Sequence, residues 1–202
     1  MDRLSGAGRS MSIVNGCLAN GRGEAAEYLA SRGAKLDLES ASGVGRLDVV
    51  KSFFNADGTL TSNATVAQMR DGFTWACEFG RATVVAFLLD NGIDVAAKFV
   101  RNHGQTGLHW AAYGAHVDTV KLLLKRGAPL DPEDDSFGGT PLSWALHAWG
   151  NEPQAPPDRY YAVVQLLVSA GATVRPEWLE HPVMRADPKM LAALSNRRHQ
   201  GV

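Results

Sequence analysis

The stretch GQTGLHWAAYGAHVDTVKLLLKRGAPLD, residues 104–131, decides the fold. It opens on Thr106, a side chain that can accept a hydrogen bond from the first-turn N–H groups of a helix. Small and apolar residues follow in Leu108, Ala111 and Ala112, then a turn, then the leucine-rich run TVKLLLKRGAP (119–129). That run ends at Gly127, which can take the left-handed conformation of a helix C-cap. Two helices this short cannot bury their apolar faces alone, so the stretch needs neighbours of its own kind.

The neighbours are present. VVAFLLDNGID (84–94) and VVQLLVSAGAT (163–173) repeat the pattern closely, and AAEYLASRGAK (25–35) and VVKSFFNADGT (49–59) repeat it weakly. The closing markers Gly33, Asp57, Gly92, Gly127 and Gly171 are spaced by 24, 35, 35 and 44 residues. An upstream set of expected N-caps, Ser12, Leu36, Asp71, Thr106 and Thr140, is spaced by 24, 35, 35 and 34. Pro141 stands where a missing N–H costs nothing. Small side chains on the first helices (Ala76, Cys77, Ala111, Ala112, Ala145) let neighbouring helices approach. The expectation is an all-α solenoid of about five helix-turn-helix units with Leu123, Leu124, Leu166 and Leu167 buried between units.

Residues 104–131, together with the Thr-Pro-Leu opening of GGTPLSWALHAW (138–149), resemble ankyrin repeats. The resemblance covers residues 12–175 as five units: 12–35, 36–70, 71–105, 106–139 and 140–175. It implies short β-hairpin fingers between units and an inter-helix glycine at Gly21, Gly45 and Gly80, replaced in the fourth unit by Ala115 ahead of His116. It also implies that His109 and His116 tie helices to loops, and that the chain binds another protein without catalysis. The contact positions carried over are Gln68, Arg70, Glu78 and Phe79 in the third unit, Asn102, His103, Gln105 and Tyr113 in the fourth, and Ser136, Phe137 and His147 in the fifth. Two departures stand out. Only two residues separate Gly33 from Leu36, so no finger is expected there, and GNEPQAPPDR (150–159) inserts about ten residues, expected as a loop, between the helices of the fifth unit.

Residues 1–11 read as a flexible tail, and EWLEHPVMRADPKMLAALSNRR (177–198) supplies apolar residues for a capping segment spanning 176–202, with Asp187 and Pro188 opening a last helix. Over 202 residues, 45% hydrophobic and 20% charged composition is too apolar for a mainly disordered chain. Twenty Lys and Arg against 21 Asp and Glu leave no positive field for nucleic acid. The longest uncharged apolar stretch, 160–174, falls short of the roughly 18 residues of a membrane helix, and no secretory h-region follows Arg3 and Arg9. With only Cys17 and Cys77, neither a disulfide framework nor a four-thiolate zinc site is available. The setting expected is reducing and cytoplasmic, the protein a monomer; its Gly-rich, cysteine-poor style has a bacterial look.

Other chemistry is weakly signalled. His109 and His116 are seven apart without the spacing of a helical zinc pair. Asp131, Glu133, Asp134 and Asp135 lack a calcium-loop pattern and read as a solvated finger tip. GAGR (6–9) lacks the Gly-Lys-Ser/Thr of a phosphate loop, and neither Cys77 nor Ser42 or Ser143 sits in a nucleophile motif. No cofactor, metal or catalytic set is expected. Trp75, Trp110 and Trp144 recur at one position of three first helices and read as a ladder stacked through the core. The competing functional readings are a small-ligand site beside Trp149 and the 150–159 loop and, more remotely, an enzyme.

Overall fold

The computed structural model describes residues 12–98 and 103–195. The expected tail 1–11, the contact position Asn102, and Arg197 and Arg198 of the capping segment lie outside the described residues. Five helix pairs follow one another: α1 (Ile13–Ala19) and α2 (Gly23–Ser31), α3 (Leu38–Gly43) and α4 (Leu47–Lys51), α5 (Val66–Glu78) and α6 (Ala82–Asp90), α7 (Gly107–Tyr113) and α8 (Val117–Lys125), α9 (Pro141–Asn151) and α10 (Pro157–Ala170). Three short helices close the described chain: α11 (Pro176–Glu180), α12 (Pro182–Ala186) and α13 (Pro188–Ser195). First helices pack on first helices (α3 on α5, α5 on α7, α7 on α9) and second on second (α4 on α6, α6 on α8, α8 on α10), which is the solenoid the repeats call for.

The turns inside the pairs share one backbone state. Gly21, Gly45 and Gly80 have φ of 68, 78 and 70°, and Ala115 holds φ 51° at the same place without being a glycine. A residue with a Cβ is strained there, and the bond from His116 to the preceding first helix, described below, holds that turn in place.

Small residues set the spacing between units. Ala76, Cys77, Ala111, Ala112 and Ala145 are fully buried. A Cβ on Gly107 would meet Cys77 Sγ and the Phe73 ring at 2.9 Å, closer than packed carbon atoms come. Of the four leucines expected inside, Leu123 and Leu167 are fully buried, whereas Leu124 and Leu166 flank the core half-buried. A smaller buried cluster of Val14, Leu18, Ala26, Ala30 and Val44 forms the N-terminal end and meets Trp75 and Phe79.

Three local readings are corrected. Asp71 does not cap a helix: Thr65 does, accepting from the Gln68 N–H at 3.2 Å while Gln68 Oε1 accepts from Thr65 N–H at 3.0 Å. This box starts α5 upstream of the repeat position, giving 13 residues against 7 in α7. In the second unit the cap is Asp37, not Leu36, because its carboxylate accepts from Ser40 N–H at 2.8 Å. The insertion 150–159 is not a continuous loop: Gly150 and Asn151 finish α9, and Pro157 takes the first position of α10, where proline needs no N–H partner.

The fingers are turns with little strand character. In the connection after α4 an isolated antiparallel bridge joins Phe54 to Leu60, and Gln105 also takes part in a bridge. Asp57, at the closing-marker position, is no C-cap: it accepts from Thr59 N–H at 3.0 Å in the turn after α4, and the positive φ falls on Gly58. No finger separates the first two units. At the far end α13 packs on α10, burying Met190 and Leu194. Asp187 caps α13 by accepting from the Lys189 and Met190 N–H groups at 3.0 Å.

This packing makes Leu123→Ala cost about 2 to 5 kcal/mol and Leu124→Ala distinctly less, a difference that denaturant midpoints will read; equal costs would mean a rotated α8. Deleting residues 176–202 should uncover the α10 face that covers Leu194 and cause aggregation. A truncated chain that stays monomeric with an unchanged melting temperature would contradict that role for the last helices.

Candidate functional site

The fourth finger is organised by one carboxylate. Asp134, in the acidic run expected to be solvated, is only 3% exposed. Its Oδ1 accepts from the Ser136 and Phe137 N–H groups, both at 2.8 Å, and its Oδ2 from Gly139 N–H at 2.8 Å and Trp144 Nε1–H at 3.1 Å. Burial pushes this carboxyl up, but the donated bonds from Phe137, Trp144, Ser136 and Gly139 outweigh it and hold the group below the usual range. A carboxylate with four donors is a turn centre, and this one fixes both the Phe137 tip and the Trp144 ring.

His109 ties the same turn back to α7, the first helix of its own unit. Its Nδ1 accepts from Thr106 N–H at 3.0 Å, so the proton sits on Nε2, which donates to the Gly139 carbonyl at 3.0 Å. His116 does the equivalent job one turn on, Nε2–H donating to the Glu78 carbonyl at 2.6 Å. Burial lowers both imidazole pKa values, against these hydrogen bonds. Both rings therefore stay neutral and structural at neutral pH, as the resemblance implies.

The tryptophans do not form a buried ladder. Trp110 and Trp144 are half-buried and meet edge to face at 5.3 Å, and Tyr113 joins them at 6.3 and 5.8 Å. Trp75 instead packs with the N-terminal cluster. A tryptophan at the margin of the packed stripe covers its neighbour with one side and leaves the other open, so helical spacing alone could not separate the two cases.

These rings wall a groove of ≈ 790 Å³ on the first-helix side. Glu78 lies in its wall beyond Tyr113, Phe137 and His147 line the finger and α9 side, and Gln154, Arg175 and Trp178 close it at the C-terminal end. Phe137 is 89% exposed, an unusual state for a phenylalanine held by a tight turn. Tyr113 Oη–H donates to Glu152 at 2.8 Å, which holds the ring, and Tyr160 Oη–H donates to the Tyr113 carbonyl at 2.9 Å, which holds its backbone against α10. Burial, followed by the Glu152 contact, pushes the Tyr113 phenol up to about 12. Among the described residues the Glu78 carboxylate has no hydrogen-bond or ion-pair partner, and burial alone pushes its pKa up to about 7.

The structure thus brings together Glu78, Tyr113, Phe137 and His147 of the expected contact positions. It disperses the others. Gln68 is spent in the α5 cap, and Arg70 lies by a second, ≈ 540 Å³ cavity with Met69 and Ile93. Phe79 packs onto α2 at Gly23, and Gln105 is 5% exposed, so neither offers its side chain to the groove. His103 and Ser136 are exposed but outside the groove lining. Sequence reading missed Trp110, Trp144, Trp178 and Arg175. The first two were assigned to the core, and the last two reach the groove only because α11 folds back.

No group of three or more His, Cys, Asp or Glu that could hold a metal ion occurs among the described residues. Burial pushes the Cys77 thiol far up, so it is no nucleophile at neutral pH. Among the described residues no helix is long and apolar enough to cross a membrane.

Comparison with known proteins gives a match to the family model described as ankyrin repeats (3 copies), over residues 38–136 and 73–177. Similar proteins include inversin from Danio rerio, 40% identical over 65 residues, covering 32% of this chain and 6% of the relative. Another is the ankyrin repeat, SAM and basic leucine zipper domain-containing protein 1 of Loxodonta africana, 35% identical over 117 residues, 58% of this chain and 23% of that protein. The E3 ubiquitin-protein ligase hecd-1 of Caenorhabditis elegans is 33% identical over 123 residues, 61% of this chain and 4% of the ligase. In each case the chain spans less than a quarter of the relative.

The raised Glu78 carboxyl has a signed consequence. Unfolded glutamate titrates near about 4.3, below the folded value of about 7, so the folded chain binds more protons between these limits and stability falls as pH rises through them. Glu78→Gln should therefore raise the melting temperature above pH 7 by about 2 to 4 °C, roughly 1 kcal/mol after discounting for partial exposure. The gain should shrink as pH falls toward 4.5, and a gain independent of pH would mean the side chain is solvated.

Proposed function

The chain belongs to the ankyrin-repeat family, and on that premise we propose that it is a non-catalytic protein–protein interaction scaffold or adaptor, binding its partner in the concave groove. Ankyrin repeats generally mediate protein–protein interactions. The observation that carries the finer reading is the groove itself, walled by Trp110, Tyr113 and Trp144 with Phe137 held out at its rim. Aromatic side chains dominate interface energy when buried by a partner. Rings already locked by neighbouring packing lose little freedom on binding. His147 and Arg175 give the rim polar groups, while the exposed Arg70, His103 and Ser136 would meet a partner that extends beyond the groove. A cytoplasmic, monomeric protein is the form this proposal assumes, in keeping with Cys17 and Cys77 both being free.

One observation favours a second reading. The groove volume falls within the range of small-molecule sites, and Gln154 of the 152–156 connection lines it. A titratable change in tryptophan fluorescence with metabolites, absent with protein partners, would favour that reading.

The test of the first reading is a photo-crosslinker at position 137 in cell extract, compared with one at the exposed Tyr28 on α2. A partner captured at 137 and not at 28 is then measured against variants. Tyr113→Ala together with Phe137→Ala should weaken its binding by at least about 2 kcal/mol. Phe137→Ala alone should leave the melting temperature unchanged, since an exposed side chain rarely contributes more than about 0.5 kcal/mol. Binding that survives the double change and is lost on altering Glu24 would place the partner on the outer helices instead.

A further inference from the structure

Glu78 is an acid in an awkward place. It stands in the wall of a groove lined by indole and phenol rings, it is partly buried, and nothing in the described chain pairs with its carboxylate. A second carboxylate, Glu152, reaches the same rim through its bond from Tyr113. Of the described residues lining the groove, Arg175 supplies the Lys or Arg charge, and its guanidinium is already engaged, 5.5 Å from the centre of the Trp178 ring. That leaves the Trp110, Tyr113 and Glu78 portion acidic and aromatic. Aromatic faces attract cations through their quadrupole, and more strongly when water is excluded. A carboxylate penalised by burial gains most from an incoming opposite charge.

Resting on the reading of the groove as a protein-binding surface, we propose that it receives a lysine or arginine side chain from an extended segment of the partner, with Glu78 as its counter-ion and Trp110, Tyr113 and Trp144 as its aromatic walls. The charge complementarity selects this occupant over the alternatives. A purely apolar segment would bury Glu78 further with no compensation, and an acidic segment would meet two carboxylates at close range. Phe137 then packs on the stem of the same segment, where it can cover the methylene groups that long basic side chains carry.

The test is an array of synthetic peptides with randomised flanks and one of five residues at the centre: arginine, lysine, the neutral analogues citrulline and norleucine, or glutamate. The full chain is bound to the array, and the best peptides are titrated in solution. Arginine- or lysine-centred peptides should bind about tenfold tighter than their neutral analogues, with the advantage weakening as salt is raised. Glu78→Gln should reduce that advantage to about threefold or less while keeping the chain folded by circular dichroism. Glu24→Gln, on α2 outside the groove, should leave it intact. Neutral or glutamate centres binding as well as arginine, or a preference unchanged in Glu78→Gln, would overturn the proposal and leave the groove reading standing. No peptide binding at all, or peptides that bind Phe137→Ala and Trp144→Ala as well as the parent chain, would overturn the groove reading and this proposal with it.

Discussion

The close approach of successive first helices is the constraint on which the rest depends. No helix pair here is long enough to be stable alone, so each must bury its face on the next, and the distance at which it does so is set by what lies between α5 and α7. With Cys77 and Phe73 against Gly107, that distance admits no added carbon. Everything on the concave side inherits this spacing. Trp110 and Trp144 meet at 5.3 Å across the next contact of the same kind, α7 on α9, where Ala111, Ala112 and Ala145 are fully buried, and a larger residue at 107 would part α7 from α5 and so Tyr113 from Glu78.

A second, polar layer converts that spacing into a defined surface. His109 reaches from α7 to the Gly139 carbonyl, and Asp134 gathers the Gly139 N–H and the Trp144 indole N–H on one oxygen. The turn is therefore fixed to the helix before it and the helix after it by groups that are themselves mostly shielded from water, where such bonds are costly to leave unmade. The consequence is local rigidity where a surface loop would ordinarily be mobile. Phe137 projects into solvent because its own backbone is committed to Asp134, not because the tip is loose.

What could be read from the sequence followed the physics that leaves a local signature. Glycine recurs where φ must be positive, so Gly33, Gly92, Gly127 and Gly171 gave the period and Ala115 could be recognised as an exception by its place. Small residues on one helical stripe gave the packed face. Thr65 was hidden because it stands outside the period: the extra turn of α5 is decided by a capping box, and repeat spacing pointed to Asp71. Asp134 was hidden because an acidic run looks the same whether its carboxylates face water or collect four N–H groups. The groove was only partly legible for the same reason. Glu78, Tyr113, Phe137 and His147 sit at positions that the repeat register predicts, whereas Trp178 and Arg175 arrive through the packing of a C-terminal element that belongs to no repeat unit.

The oddity that remains is a half-buried acid that costs stability at neutral pH. Its main-chain carbonyl is needed, since His116 donates to it to lock the α7–α8 turn, but that role places no demand on the side chain. A glutamine or leucine at position 78 would preserve the carbonyl and remove the penalty that burial imposes on the carboxylate. Packing therefore does not explain the acid. Local conflicts of this kind concentrate where a protein meets something else, and this one lies in the wall of the groove beside Tyr113, which Glu152 and Tyr160 hold in place. No described residue neutralises Glu78, which is why an incoming opposite charge is the compensation proposed for it.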